Sequence, residues 1–313
     1  MRRALRRQCG MAHVYIYSPS GAVRDRAAFK RGLAHLKALG HDVEVDADAL
    51  RRSTRFAGDD DTRLAAIDRA AQSGADIALI SRGGYGLTRI LPALPYARIA
   101  ASVERGMHWV GFSDFTAMQL AVLAKTGQRT WAGPALGDNF GAEPVDEIMA
   151  ACFDDLVLGQ GEGTGWRMGK ALASGLPDAP LHIRRARLWG GNLAVLSSLV
   201  GTPYLPDIKG GVLFLEDVAE HPYRIERMLT QLLHAGVLAR QKAIVLGQFT
   251  DYKLSPHDRG FNYASVVAWL RQQLKVPVLT DLPFGHVQTR VLLPVGAEVE
   301  LVREDRDVLL VWG

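Results

Sequence analysis

The stretch Met107-His108-Trp109-Val110-Gly111-Phe112-Ser113-Asp114-Phe115-Thr116 reads as an apolar strand that turns through a glycine and a serine directly into a helix. Residues 107–110 have the length and apolarity of a short buried strand, and Phe115, Met118 and Val122 follow at spacings that share one helical face. Ser113 therefore sits at a strand-to-helix turn. Such a turn points a side chain outward and places free backbone N–H groups and the positive end of a helix dipole beside it, the surroundings an acyl-transfer nucleophile requires. Serine is also a favoured N-cap. The local sequence leaves both readings open.

The same alternation extends in both directions. A strand over residues 14–17 ends in the turn Ser18-Pro19-Ser20-Gly21, a helix over 24–39 is closed by Gly40, and a strand follows over 41–45. A helix from Thr62 to about Gly74 precedes an apolar strand over 76–80, which feeds the turn Ser81-Arg82-Gly83-Gly84-Tyr85-Gly86. Beyond the Ser113 helix lie a short strand over 130–132 and a helix over 144–158. Strands alternating with helices predict a mostly parallel sheet, whose ligand crevice lies at the C-terminal strand ends. Ser113 and the glycine turn both occupy such ends. The glycine turn allows close approach of backbone to a ligand, but it has neither the Walker spacing nor G-x-G-x-x-G. Asp59-Asp60-Asp61 could be read as a metal site; an acid-rich helix start is the commoner cause of such a run.

Gly159-Gln160-Gly161-Glu162-Gly163-Thr164-Gly165 is glycine-dense, and the composition stays loop-like to Pro180. This predicts an N-terminal α/β domain over 11–158, a linker over 159–180 and a C-terminal domain over 181–313. In the second half, strands are expected at 181–188, 210–215, 243–246, 276–279, 297–302 and 308–312. A helix opening at Pro222 carries Ile225, Met228, Leu229, Leu232 and Leu233 as an apolar stripe.

The chain has 313 residues, 48% hydrophobic and 22% charged, as in an ordinary globular protein. Its formal charge of +4 resides in Arg2, Arg3, Arg6 and Arg7, without which Lys+Arg falls from 37 to 33 and equals the 33 Asp+Glu. Nucleic-acid and membrane partners are therefore not expected. No apolar run spans a bilayer, and no apolar segment follows the basic head, so no secretory signal is expected. Cys9 and Cys152 form neither a disulfide framework nor a metal-ligand spacing, which fits a reducing cytoplasm.

An acyl-transfer site needs a nucleophile, a base, an acid that orients the base, and N–H donors for the oxyanion. Ser113, His286 and Glu216 supply a candidate for each side-chain role. Glu216 directly follows the apolar run Val212-Leu213-Phe214-Leu215, where burial without a partner would be costly. Asp217 competes for the acid role, but in a regular strand the two acids point to opposite faces.

SRGGYGLTRIL (81–91), GFSDFTAMQLA (111–121), GGNLAVLSSLVGTPYLPD (190–207), LFLEDVAEHPYRIERMLTQL (213–232) and FGHVQTRVLLPVG (284–296) resemble the LD-carboxypeptidase family of serine peptidases. The resemblance covers nearly everything from Val14 onward. It implies a triad of Ser113 (GFSD), Glu216 (LED) and His286 (GH), with backbone oxyanion donors at Gly84 and Asp114. It also implies a two-domain α/β architecture with the site between the domains, and no metal or other cofactor. The implied substrate is a murein tetrapeptide that loses its C-terminal D-alanine in cell-wall recycling; whether the chain forms a homodimer is left open. Arg82 or Arg290 is a candidate cation for the substrate carboxylate, and Tyr85 and Asn192 are further substrate-binding candidates. Three other readings stand beside this one. They are a related peptidase that cleaves peptidyl-nucleotide antibiotics for self-immunity, a non-catalytic peptide- or sugar-binding protein, and an esterase, against which the missing second glycine of G-x-S-x-G argues.

Overall fold

A computed structural model describes residues 10–176 and 179–312. The arginines of the head (Arg2, Arg3, Arg6, Arg7) and Cys9 lie outside the described residues. The chain forms two compact units, one running through Gly161 and including Gln288–Pro294, the other comprising Glu162–Val287 and the chain from Val295 onward.

The first unit is built on β1 (His13–Tyr17), β2 (Asp42–Val45), β3 (Ile77–Ile80), β4 (His108–Gly111) and β5 (Thr130–Ala132). They pair in parallel in the spatial order β5-β4-β3-β1-β2. All four residues of β3 are buried, as expected of a central parallel strand whose apolar run is covered on both faces. The edge strand β2 keeps Asp42, Glu44 and Val45 exposed. Helices Arg26–Ala38, Asp60–Gln72, Tyr96–Glu104 and Phe115–Thr126 make the crossovers. The acid run is a helix start: the Asp59 carboxylate caps Asp60–Gln72 by accepting from Thr62 N at 2.8 Å. No cluster of metal-ligating side chains occurs among the described residues. The core of this unit centres on Trp109, fully buried, edge-on to Tyr17 at 5.5 Å and donating through Nε1 to Ser102 Oγ at 2.9 Å.

The second unit holds β6 (Gly163–Arg167), β7 (Leu181–Asn192), β8 (Val212–Val218), β9 (Ala243–Thr250) and β10 (Val278–Leu279). After β11 (Leu293–Val295), which lies at the β5 edge of the first sheet, come β12 (Glu298–Glu304) and β13 (Asp307–Val311). Their sheet order is β10-β9-β8-β7-β12-β13-β6, with β7 to β10 parallel and the β7-β12-β13-β6 half antiparallel. The helix Pro222–His234 buries Ile225, Met228, Leu229 and Leu232 of its stripe, while Leu233 at the margin is only half-buried. No helix among the described residues is long and apolar enough to cross a membrane.

Two expectations need correction. The stretch 159–180 is not a plain linker, because it contains β6 and the short helix Lys170–Ala173, and from Glu162 it packs with the second unit. Gly163 serves this edge strand, since a Cβ there would lie 2.7 Å from Leu310 O of β13. The strand expected to end at Leu188 runs on to Asn192. Gly190 resembles a turn residue in sequence, but its φ of +137° and its contact with the Phe214 backbone of β8 demand a residue without Cβ inside the strand.

Trp109→Ala should cost about 3–5 kcal/mol, the range for truncating a fully buried aromatic. Urea unfolding followed by circular dichroism checks this, and a loss below about 1 kcal/mol would contradict the packing described.

Candidate active site

Ser113 stands two residues after the end of β4 with φ +62°, a left-handed conformation rare for a residue bearing a Cβ. Such a residue costs on the order of 1–3 kcal/mol and persists only where its surroundings impose it. Those surroundings are visible. Phe112 and Phe115 on either side are buried. Phe115 N and Thr116 N already turn back to Phe112 O and Ser113 O at 3.2 and 3.0 Å. Asp114 lies beneath, with its carboxylate accepting from Ser20 Oγ at 2.5 Å and Leu87 N at 2.9 Å. Burial pushes the Asp114 carboxyl up from its ordinary range, and the two hydrogen bonds oppose that shift. The cap reading of Ser113 is corrected: the helix starts at Phe115 and no side chain caps it. The short residue at this turn holds a strained, outward-facing hydroxyl.

Three loops meet here, at the C-terminal ends of the adjacent strands β1, β3 and β4. Gly21 N donates to Gly83 O at 3.3 Å, and the Ser18 and Ser81 hydroxyls lie 2.6 Å apart. Gly83 backs directly onto the serine: a Cβ there would sit 2.7 Å from Ser113 Cβ and 2.9 Å from its Oγ. Gly84 follows at φ +123°. In the same turn Arg82 is half-buried, with Nη1 donating to Ala22 O at 3.4 Å, and Tyr85 is 45% exposed beside Phe56.

In the second unit, Glu216 stands near the end of β8 with its side chain wholly buried. Its Oε2 lies 2.8 Å from His286 Nδ1, and its Oε1 accepts from Asn192 Nδ2 at 3.1 Å. His286 is held after Gly285, whose φ is +150°. With a carboxylate facing Nδ1, the ring hydrogen belongs on Nδ1, which makes Nε2 the basic nitrogen. Asp217 does not point away as regular alternation predicts. The β8–β9 register shifts between Leu215 and Asp217, and Asn192 Nδ2 also donates to Asp217 Oδ1 at 2.9 Å. The Asp217 carboxylate further accepts from Ala194 N and Val218 N, each at 2.9 Å. Burial first, and the charge of Glu216 second, push the Asp217 carboxyl up to about 6.

The remaining candidates fall into supporting positions. Asn192 is buried, caps the helix Leu193–Ser198 by accepting from Val195 N at 3.1 Å, and gives its amide to the two acids. Arg290 is buried in the first unit, with its guanidinium 3.5 Å from the Phe112 ring and Nη1 2.6 Å from Asn139 Oδ1. The sequence reading missed Ser20 and Asn139. Position at a strand end was the available signal for Ser20, since its turn follows β1 as the others follow β3 and β4.

Gly83→Ala should displace Ser113 while leaving the fold intact, and misplacement on the ångström scale costs about 10²-fold in reactivity. The rate of Ser113 labelling by a fluorophosphonate, with the unfolding midpoint as control, checks it. Asp217 has its folded pKa above its unfolded value, so the folded state holds the proton more tightly and stability falls as pH rises from about 4 to 6. In Asp217→Asn that fall should flatten, as read from denaturant midpoints across this range. Parallel pH profiles for both proteins would refute the assignment.

Both domains of one family match this chain, the LD-carboxypeptidase N-terminal domain over residues 14–133 and its C-terminal domain over 185–301. A muramoyltetrapeptide carboxypeptidase from Oxalobacter formigenes is 38% identical, with a TM-score of 0.86 over 96% of this chain and 98% of that one. The murein tetrapeptide carboxypeptidase of Pseudomonas aeruginosa is 28% identical over 290 residues, 90% of this chain and 91% of the relative. The microcin C7 self-immunity protein MccF of Escherichia coli is 26% identical over 255 residues, 72% and 71% of the two chains. The strained serine turn and the histidine–glutamate pair thus occur in a chain that belongs to the LD-carboxypeptidase family of serine peptidases.

Proposed function

We propose that this protein hydrolyses the amide between an L-centre and the C-terminal D-alanine of murein tetrapeptides, with Ser113 as nucleophile, His286 as base and Glu216 as orienting acid. The observation that carries the reading is the 2.8 Å bond from His286 Nδ1 to the buried Glu216. It orients a histidine with Nε2 as its proton-accepting nitrogen, in a chain that also holds a serine in a strained turn at a strand end. The names of the O. formigenes and P. aeruginosa relatives support the substrate class. The microcin-immunity relative is 26% identical, against 38% for the O. formigenes carboxypeptidase, which favours the murein reading over antibiotic cleavage.

In the proposed reaction His286 Nε2 takes the Ser113 Oγ proton as the oxygen attacks the carbonyl carbon. The backbone N–H groups of Gly84 and Asp114 hold the oxyanion. Collapse breaks the C–N bond, and His286 returns the proton to the departing amine of D-alanine. His286 then deprotonates a water that attacks the acyl ester, releasing the tripeptide and restoring Ser113. We place this chemistry in the cytoplasm, on recycled murein fragments, where an unpaired thiol such as Cys152 stays reduced.

Mass spectrometry of a tetrapeptide and a peptidyl-adenylate, each incubated with the enzyme, tests the proposal. D-Alanine release should dominate. Ser113→Ala should lower it by about 10⁶-fold, and Glu216→Gln by about 10⁴-fold, as when other serine peptidases lose the orienting acid. Wild-type turnover by Ser113→Ala would refute the mechanism.

A further inference from the structure

Beside the serine turn the first unit gathers cations that the proposed reaction does not use. Ala22 ties two of them together, since its N–H donates to Arg55 O at 3.0 Å and its carbonyl accepts from Arg82 Nη1 at 3.4 Å. Arg24 is two residues further on. The Arg82 guanidinium runs alongside Gly84, where a Cβ would lie 3.0 Å from Nη1. The Arg55 guanidinium lies 5.6 Å from the centre of the exposed Tyr85 ring. Among the described residues, none of Arg24, Arg55 and Arg82 makes an ion pair, whereas nearby Arg63 and Arg89 are both paired to Asp60. Burial, together with Arg24 and Arg55, lowers the proton affinity of Arg82, and only the exposed Asp138 opposes them. Three cations on interlocked loops, one of them half-buried, repel one another, and an anion relieves that repulsion.

We infer that Arg24, Arg55 and Arg82, with Tyr85, form a carboxylate-binding rim on the serine turn, which makes the enzyme selective for anionic stem peptides. This rests on the proposed peptidase reading and adds the means of substrate recognition. Arg82 lies next to the Gly83–Gly84 backbone, and the Arg55 guanidinium lies over the Tyr85 ring, so the rim offers two planar donor groups, one of them backed by an aromatic ring, to one extended peptide. A murein tetrapeptide presents carboxylates at its glutamate, at a diaminopimelate third residue and at its terminus, all the same chemistry.

The test compares wild type, Arg55→Gln and Arg24→Gln/Arg55→Gln on four tetrapeptides. One is fully acidic, one has lysine as third residue, one has the glutamate α-carboxylate amidated, and one has a C-terminal D-alaninamide. A lost charge-assisted hydrogen bond corresponds to about 10- to 100-fold in binding. KM for the acidic peptide should rise by that factor in the variants with kcat nearly unchanged, and it should become less dependent on salt. Against the peptide lacking the recognised carboxylate, wild type and variant should have equal KM, which identifies the carboxylate bound. Equal KM for wild type and both variants on every peptide would overturn the rim while leaving the peptidase reading intact. If wild type releases no D-alanine, calorimetric titration of the four peptides into Ser113→Ala and Ser113→Ala/Arg55→Gln still decides the rim. Equal affinities would refute it, and a 10- to 100-fold loss confined to acidic peptides would uphold it.

Discussion

A carboxylate buried at the foot of a helix holds the first unit's chemistry in place. Asp114 gives up water and receives a hydroxyl from the loop after β1 and a backbone N–H from the segment after β3. An unpaired carboxylate at that depth would cost several kcal/mol, so the three loops stay together for as long as the acid stays satisfied. Ser113, next in the chain, inherits the constraint. Its backbone is left-handed, and Gly83 can lie against it because no Cβ intervenes.

The second unit solves a different electrostatic problem. Glu216 and Asp217 are adjacent, both buried, and both take hydrogens from one amide. Like charges this close cannot both ionise without cost. Asp217 responds with a raised pKa, and its backbone donors at Ala194 and Val218 limit the rise. Glu216 has the histidine as its second partner. The shift of register in β8 allows this sharing, because it turns two side chains of opposite faces toward the same asparagine. Asn192 also caps a helix, so one residue orients the acid pair and anchors the segment that follows.

Much of this was legible in the chain. The Ser113 turn, the glycine turn and the apolar run before Glu216 each announce a strand end, because burial of a short apolar run and the end of its periodicity are local properties. The amphipathic stripe of Pro222–His234 is likewise written in its spacing. The readings that failed involve partners distant in sequence. The 159–180 stretch lacks periodicity because β6 is an edge strand whose Gly163 fits against β13, more than a hundred residues later. The strand expected to end at Leu188 continues through Gly190, where the Phe214 backbone of β8 lies beside it. The partners of Asn192 and Arg290, namely Glu216, Asp217, Asn139 and Phe112, are likewise distant in sequence and were not read from it.

The sequence by itself determined the α/β alternation and the two-part organisation, because strand periodicity and turn chemistry are short-range properties of a chain, and its five motifs carried the family resemblance from which Ser113, Glu216 and His286 are proposed as the triad. Only the tertiary structure decided that Ser113 is strained rather than a cap, that Glu216 and Asp217 converge on Asn192, and that Arg24, Arg55 and Arg82 lie on interlocked loops beside the serine turn. Each of these depends on which buried polar group finds which partner. That pairing is settled by desolvation and packing among residues tens to a hundred positions apart, and no local pattern encodes it.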